Sequence, residues 1–165
     1  MTDVLLLLGS NIEPAVNLRS ALQALDGMPV SHVVAVSATY VTPAIGADGE
    51  RADQPDFHNV AVQMQTALDI HDLRRQLRQI ESQHGRVRTH DKFAARPLDI
   101  DITFFGQSTL TIDGTEIPDP DVEQQAYVVI PLAEIAPDWR HPQTGQRLRQ
   151  IADGLANQEM EFVRI

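Results

Sequence analysis

The chain has no cysteine, which excludes disulfides, thiolate catalysis and zinc sites built on sulfur. Basic residues are scarce. Thirteen Lys and Arg stand against twenty-three Asp and Glu, a formal charge of −10, so a general affinity for nucleic acid or anionic membrane is not expected. No hydrophobic run approaches membrane-spanning length. The apolar run Val4 to Leu8 is too short for a signal segment, and Asp3 stands where positive charge would be needed. A cytoplasmic location is the default expectation. The six histidines show no His-x-x-x-His ligand spacing, and a surface or loop position is the reading for most of them.

What is present fits one globular domain spanning residues 1–165, with 42% hydrophobic residues. Val4 to Leu8 reads as a strand buried on both faces, closed by Gly9. Asn11 is placed to cap a helix carrying Pro14 in its first turn and Leu18, Leu22 and Leu25 on one face. Val33 to Thr42 reads as one β-branched strand, and 47–54 as a mobile loop. A strand from Phe57 to Met64 follows, with Val60, Val62 and Met64 on one face and Phe57, Asn59 and Gln63 on the other. Asp69 to Gln83 has a helical stripe of Leu73, Leu77 and Ile80, ending near Gly85.

Leu98 to Phe105 is the next strand, followed by a hairpin about Asp113-Gly114 and short helices near Leu132–Ile135 and Arg147–Ala152. Glu161 to Ile165 reads as a last edge strand. The order β-α-β-β-α-β is that of a ferredoxin-like α+β sheet with helices packed on it and extra C-terminal elements.

Two carboxylates carry the chemical signal. A period of two puts Leu98, Ile100, Ile102 and Phe104 on one face of their strand, and Asp99 with Asp101 on the other. Adjacent carboxylates repel, so a cation belongs between them, and a hard divalent ion such as Mg²⁺ suits such oxygens. Arg86, Arg88, Lys92 and Arg96 gather just upstream. In so acidic a chain, a basic loop feeding a carboxylate strand fits a phosphate clamp around a metal. On charge pattern alone a solvated charged loop fits equally well.

Six motifs in order sharpen this reading. They are Gly9-Ser10-Asn11; Tyr40-x-Thr42-Pro43-x-Ile45-Gly46; Gln54-Pro55-Asp56-Phe57-x-Asn59; Glu81 before Gly85-Arg86-Val87-Arg88; Arg96-x-Leu98-Asp99-Ile100-Asp101-Ile102; and Pro131-Leu132-x-Glu134-Ile135-Ala136-Pro137. Together they resemble the signatures of hydroxymethyldihydropterin pyrophosphokinases. The resemblance implies transfer of pyrophosphate from ATP to 6-hydroxymethyl-7,8-dihydropterin in folate biosynthesis, with two Mg²⁺ ions on Asp99 and Asp101. It gives Arg86 and Arg96 phosphate contacts and a catalytic role, and nucleotide contacts to Glu81, Arg88, Lys92, Ile102 and Asp119. It places a reduced pterin between Phe57 and Tyr127 beside Thr42, Pro43, Ile45, Asn59 and Phe93. Small molecules are then the partners, with no nucleic acid or membrane, and the protein is expected to be a monomer.

Several positions depart from the family pattern. Lys92-Phe93-Ala94-Ala95-Arg96 stands where Arg-Trp-Gly-Pro-Arg is usual, Asp119 where His is usual, and Gln125 where Arg is usual. Each of the last two makes the triphosphate side less positive. They carry the alternative of a divergent paralogue that binds a pterin-like heterocycle with weak or no transfer.

Overall fold

The computed structural model describes residues 1–86, 93–158 and 163–165. The elements run β1 (Thr2–Ser10), α1 (Pro14–Asp26), β2 (Ser31–Val36), β3 (Tyr40–Thr42), β4 (Phe57–Thr66), α2 (Ile70–Gln83) and β5 (Asp99–Phe105). They continue with β6 (Leu110–Ile112), β7 (Thr115–Ile117), a 3-10 turn (Pro120–Val122), α3 (Ala126–Ile135), α4 (Leu148–Leu155) and β8 (Val163–Arg164). The main sheet has β1 at its centre, with β4 and β5 antiparallel on either side. β2 and β3 share the far side of β4, and β8 closes that end against β3. This is the expected α+β arrangement.

β1 is apolar throughout because both its faces are covered. Val4, Leu6 and Leu8 join Val60, Val62, Met64, Ile100 and Ile102 beneath α1 and α2, which contribute Leu18, Leu25, Leu73, Leu77 and Ile80. On the opposite face Leu5, Leu7 and Ala61 pack against Val128, Val129 and Leu132 of α3 and against Leu148 and Ile151 of α4. Each of the valine, leucine, isoleucine and methionine side chains among them contributes about 1.5–3 kcal/mol when fully buried. The second layer covers only half of its face. Beyond Leu7 the same face carries Gly9, Asn59, Asp99 and Asp101, and there the sheet is left open.

Four local expectations are corrected. Val33–Thr42 is two strands, because Ser37 breaks the ladder. Its Oγ accepts from the Ala61 N–H while its own N–H donates to the Ala61 carbonyl. Phe104 leaves the face of Ile100 and Ile102, since a bulge shifts the register between Leu5 and Leu6 and leaves Thr103 unpaired. Phe104 therefore packs in the α3–α4 layer against Trp139 and His141, while Thr103 Oγ1 donates to the Leu5 carbonyl.

The segment 47–54 forms a hairpin, with Ile45 bridged to Arg51 and a turn at Gly49. α3 begins at Ala126, before Pro131 and well ahead of the expected start. Proline removes only one helical hydrogen bond there, and Val128, Val129 and Leu132 anchor the helix on the sheet.

Other expectations stand as read. Asp69 caps α2 through the Asp72 N–H, and Asp113-Gly114 make the tight turn between β6 and β7 with positive φ at both positions. Of the last expected strand, Val163 and Arg164 pair with β3, whereas Glu161 and Phe162 lie outside the described residues.

Candidate active site

The uncovered part of the sheet forms the floor of a cleft of about 840 Å³. Asp99 and Asp101 rise from β5 opposite Gly9 and Leu7 of β1, as their alternation requires. Phe57 and Asn59 rise from β4 next to them, and Thr42, Pro43 and Ile45 form a wall. Tyr127 on the first turn of α3 closes the inner end, and Phe93 and Arg96 come from the loop before β5. Every residue expected to hold the pterin therefore lines this one cleft.

Charge is arranged asymmetrically. Arg96 Nη1 lies 3.2 Å from one oxygen of Asp99, and Arg86 Nη2 lies 3.9 Å from the other. The Arg96 guanidinium also sits over the Phe57 ring, 5.7 Å from its centroid. Among the described residues no ion pair reaches Asp101. Its location deep at the cleft floor pushes its carboxyl well above the usual range, and the carboxylates of Asp99, Asp119 and Glu81 add to this. Its side chain nonetheless faces open space. The same acidic field reaches Tyr127, whose phenol is pushed up to about 12, by burial first and then by Asp121, Asp101, Asp119 and Asp99.

This surplus of negative charge is what a bound cation would relieve. The donors are hard oxygens, and they fit Mg²⁺. Among the described residues no group of three or more potential ligands is gathered to hold a metal unaided. Two carboxylates would leave the remaining coordination positions to phosphate and water oxygens.

Three expected nucleotide contacts are placed differently. Glu81 is 1% exposed and lies outside the cleft lining, where its Oε2 accepts from the Ile100 N–H behind the carboxylate strand. Ile102 buries its side chain in the core beneath the helices and offers a ligand only its backbone on the edge strand. Asp119 caps the 3-10 turn by accepting from the Asp121 N–H, so that Asp121 and Gln125 reach the cleft wall instead. Arg88 and Lys92 lie outside the described residues.

Asn11 has a role the sequence reading did not give it. The expected cap position falls instead at Glu13, whose φ is 42°, and Glu13 makes no side-chain cap. Pro14 at the first helical position was the available signal, since it fixes its predecessor as the cap. Asn11, 1% exposed, ties three loops together. Its Oδ1 accepts from the Arg96 N–H at 2.8 Å, and its Nδ2 donates to Gln54 Oε1 and the Pro55 carbonyl. Gln54 Nε2 in turn donates to the Phe93 carbonyl at 2.9 Å. Arg51 and Glu50 of the hairpin also line the cleft and were not singled out.

Fold and cleft together define a ferredoxin-like α+β protein whose cleft is lined by aromatic rings and by charged side chains. The model of the 7,8-dihydro-6-hydroxymethylpterin-pyrophosphokinase (HPPK) family matches residues 5–137, and the chain belongs to that family. It is 37% identical over 145 residues to the 2-amino-4-hydroxy-6-hydroxymethyldihydropteridine pyrophosphokinase of Pseudomonas aeruginosa, covering 87% of this chain and 86% of the relative. The Haemophilus influenzae protein of the same name is 32% identical over 157 residues, covering 93% and 95%.

Among solved structures, Plasmodium falciparum HPPK-DHPS wild type with pterin and p-hydroxybenzoate superposes with a TM-score of 0.69 at 14% identity. That match covers 93% of this chain but 41% of the solved one, so the chain spans less than half of that protein. It bears on the fold alone.

Proposed function

We propose that the chain is an ATP- and Mg²⁺-dependent diphosphokinase of folate biosynthesis, moving pyrophosphate from ATP to 6-hydroxymethyl-7,8-dihydropterin. The hydroxymethyl oxygen attacks the β-phosphorus. The bond from that phosphorus to the oxygen bridging the α-phosphate breaks, AMP leaves, and the hydroxyl proton passes to solvent. The observation that carries this reading is the meeting of Asp99 and Asp101 with Arg96, Phe57, Asn59 and Tyr127 in one cleft.

Phe57 and Tyr127 offer flat apolar surface to the heterocycle, and Asn59 offers an amide edge. Arg86 and Arg96, both beside Asp99, take phosphate oxygens and steady the charge that builds in transfer. Mg²⁺, two ions on Asp99 and Asp101, would supply charge neutralisation of the polyphosphate. Glu81 braces the strand, and Arg88, Lys92, Asp119 and the Ile102 backbone complete the nucleotide side. The enzyme acts as a cytoplasmic monomer, as one domain, on small molecules.

The test is AMP release from ATP in the presence of hydroxymethyldihydropterin and Mg²⁺. Orthophosphate as the product would instead indicate a hydrolase. One observation favours a second reading, a pterin-binding paralogue with weak transfer: the cleft wall presents Asp121 and the uncharged Gln125. Calorimetry with a non-hydrolysable ATP analogue separates the two, since the paralogue would bind pterin and not the Mg²⁺ nucleotide.

A further inference from the structure

β3 is three residues long, yet it presents Thr42 to the cleft and runs directly into Pro43 and Ile45 of its wall. Its inner side pairs with β4, placing Tyr40 opposite Asn59 and Thr42 opposite Phe57. So short a strand, entered through the break at Ser37, needs holding from its other side. Glu134, near the end of α3, supplies that hold. Its Oε2 accepts from the Ala38 N–H at 2.6 Å, just after the break. Its Oε1 accepts from the Tyr40 hydroxyl at 3.3 Å and lies 2.6 Å from Arg164 Nη2 of β8. β8 pairs with the outer edge of β3, and the Ile165 N–H donates to the Thr39 carbonyl.

The consequence reaches the cleft through one amide. Asn59 Nδ2 donates to the Tyr40 carbonyl at 3.4 Å and to Thr42 Oγ1 at 2.9 Å. A carbonyl can only accept, so the nitrogen of this amide is fixed toward β3. Asn59 Oδ1 then points toward Gly9, where a Cβ would meet it at 3.4 Å, and toward the cleft. Asn59 thus meets a ligand as an acceptor for as long as β3 stays in register.

We infer that Glu134, with Tyr40 and Arg164, is a positioning device for ligand selection: it fixes β3, and through β3 the acceptor that Asn59 turns to the pterin. This inference rests on the proposed pterin site. Glu134 touches no ligand, and its removal changes affinity for the heterocycle and not for the nucleotide.

The experiment compares Glu134→Ala, Glu134→Gln, Tyr40→Phe and Arg164→Ala by pterin fluorescence titration, by calorimetry with a non-hydrolysable ATP analogue and Mg²⁺, and by the Asn59 side-chain amide signal in ¹H–¹⁵N NMR. Glu134→Ala should weaken pterin binding about tenfold, the effect of one buried hydrogen bond. Nucleotide affinity should stay unchanged, and the Asn59 amide signal should shift before any ligand is added. Glu134→Gln, whose one carbonyl oxygen can still accept from the Ala38 N–H while its NH2 turns to the Tyr40 hydroxyl, should recover part of the loss.

An unmoved Asn59 signal with unchanged pterin affinity overturns the inference. So does an equal loss of both ligands. If Glu134→Ala does not fold, Tyr40→Phe and Arg164→Ala decide by the same readouts. A wild-type chain that binds no pterin refutes the functional reading, and the Asn59 signal still reports on the positioning device.

Discussion

Asp101 stands in an uncompensated field of neighbouring carboxylates. Its carboxyl is raised well above the usual range by its place at the cleft floor and by Asp99, so in the folded protein its ionised form is disfavoured relative to the unfolded chain. A carboxyl raised in this way contributes stability at low pH that is lost as pH rises through its folded value. Asp101→Asn should therefore unfold at a higher temperature than wild type at neutral pH, while transfer falls by at least about a hundredfold. Mg²⁺ should raise the melting temperature of wild type and leave that of the variant unmoved. A variant with normal turnover would remove Asp101 from the chemistry. The aromatic pair gives a second prediction at this scale. Phe57→Ala and Tyr127→Ala should each weaken pterin binding by about 1–3 kcal/mol in a fluorescence titration. Unchanged affinity in both would rule out the proposed pocket.

Loops, rather than strands, decide whether these residues meet. Asn11 and Gln54 join the segment after β1, the hairpin before β4 and the loop before β5 through four hydrogen bonds. Asn11→Ala leaves the Arg96 N–H and the Pro55 carbonyl without this partner and should cost about 1–3 kcal/mol of stability in urea unfolding. Gln54→Ala should weaken pterin and nucleotide binding together, since Phe93 and Arg96 share the loop it holds. Loss of one ligand alone would argue against a shared tie. This network also marks where sequence reading stopped. The strands, both helices under the sheet and the Asp99–Asp101 pair were legible because periodicity is local and each pattern repeats. Asn11 carried the same residue type as a helix cap, and only the distant Gln54 and Arg96 decide which role it takes. The break at Ser37 and the early start of α3 were hidden for a similar reason. Ala61 stabilises the one and the sheet face stabilises the other, and neither lies nearby in sequence.

The molecule as a whole spends one face of its sheet on stability and divides the other between stability and function. His141 belongs to the stabilising half. It is 2% exposed, sits edge-on to Phe104 at 5.6 Å, and places Nε2 3.2 Å from Glu123. Burial lowers its pKa, and Glu123 only partly opposes this. Below the ordinary value of 6.5 the unfolded chain takes up a proton that the folded one resists. Its contribution to stability is thus complete above that value and is lost as pH falls through the lower folded one. Urea midpoints at about pH 7.5 and about pH 5.5 should differ less in His141→Gln than in wild type; an equal difference would place the titration elsewhere. Thr103 marks the boundary of that division. The bulge acts as a phase shift written into one strand: upstream, odd-numbered residues point at the cleft, and downstream, even-numbered ones point at α3 and α4. Without Thr103 the ladder would run unbroken from Ile102 opposite Leu6 to Phe104 opposite Leu5, and plain alternation would still keep Asp99, Asp101 and Phe104 on one face. What would go is a hook: the Thr103 carbonyl that accepts from the Asp119 N–H, and the hydroxyl that donates to the Leu5 carbonyl. The extra residue is thus a peg on which the segment after β7 hangs, fastening the 3-10 turn beside the cleft to the edge strand that forms the cleft floor.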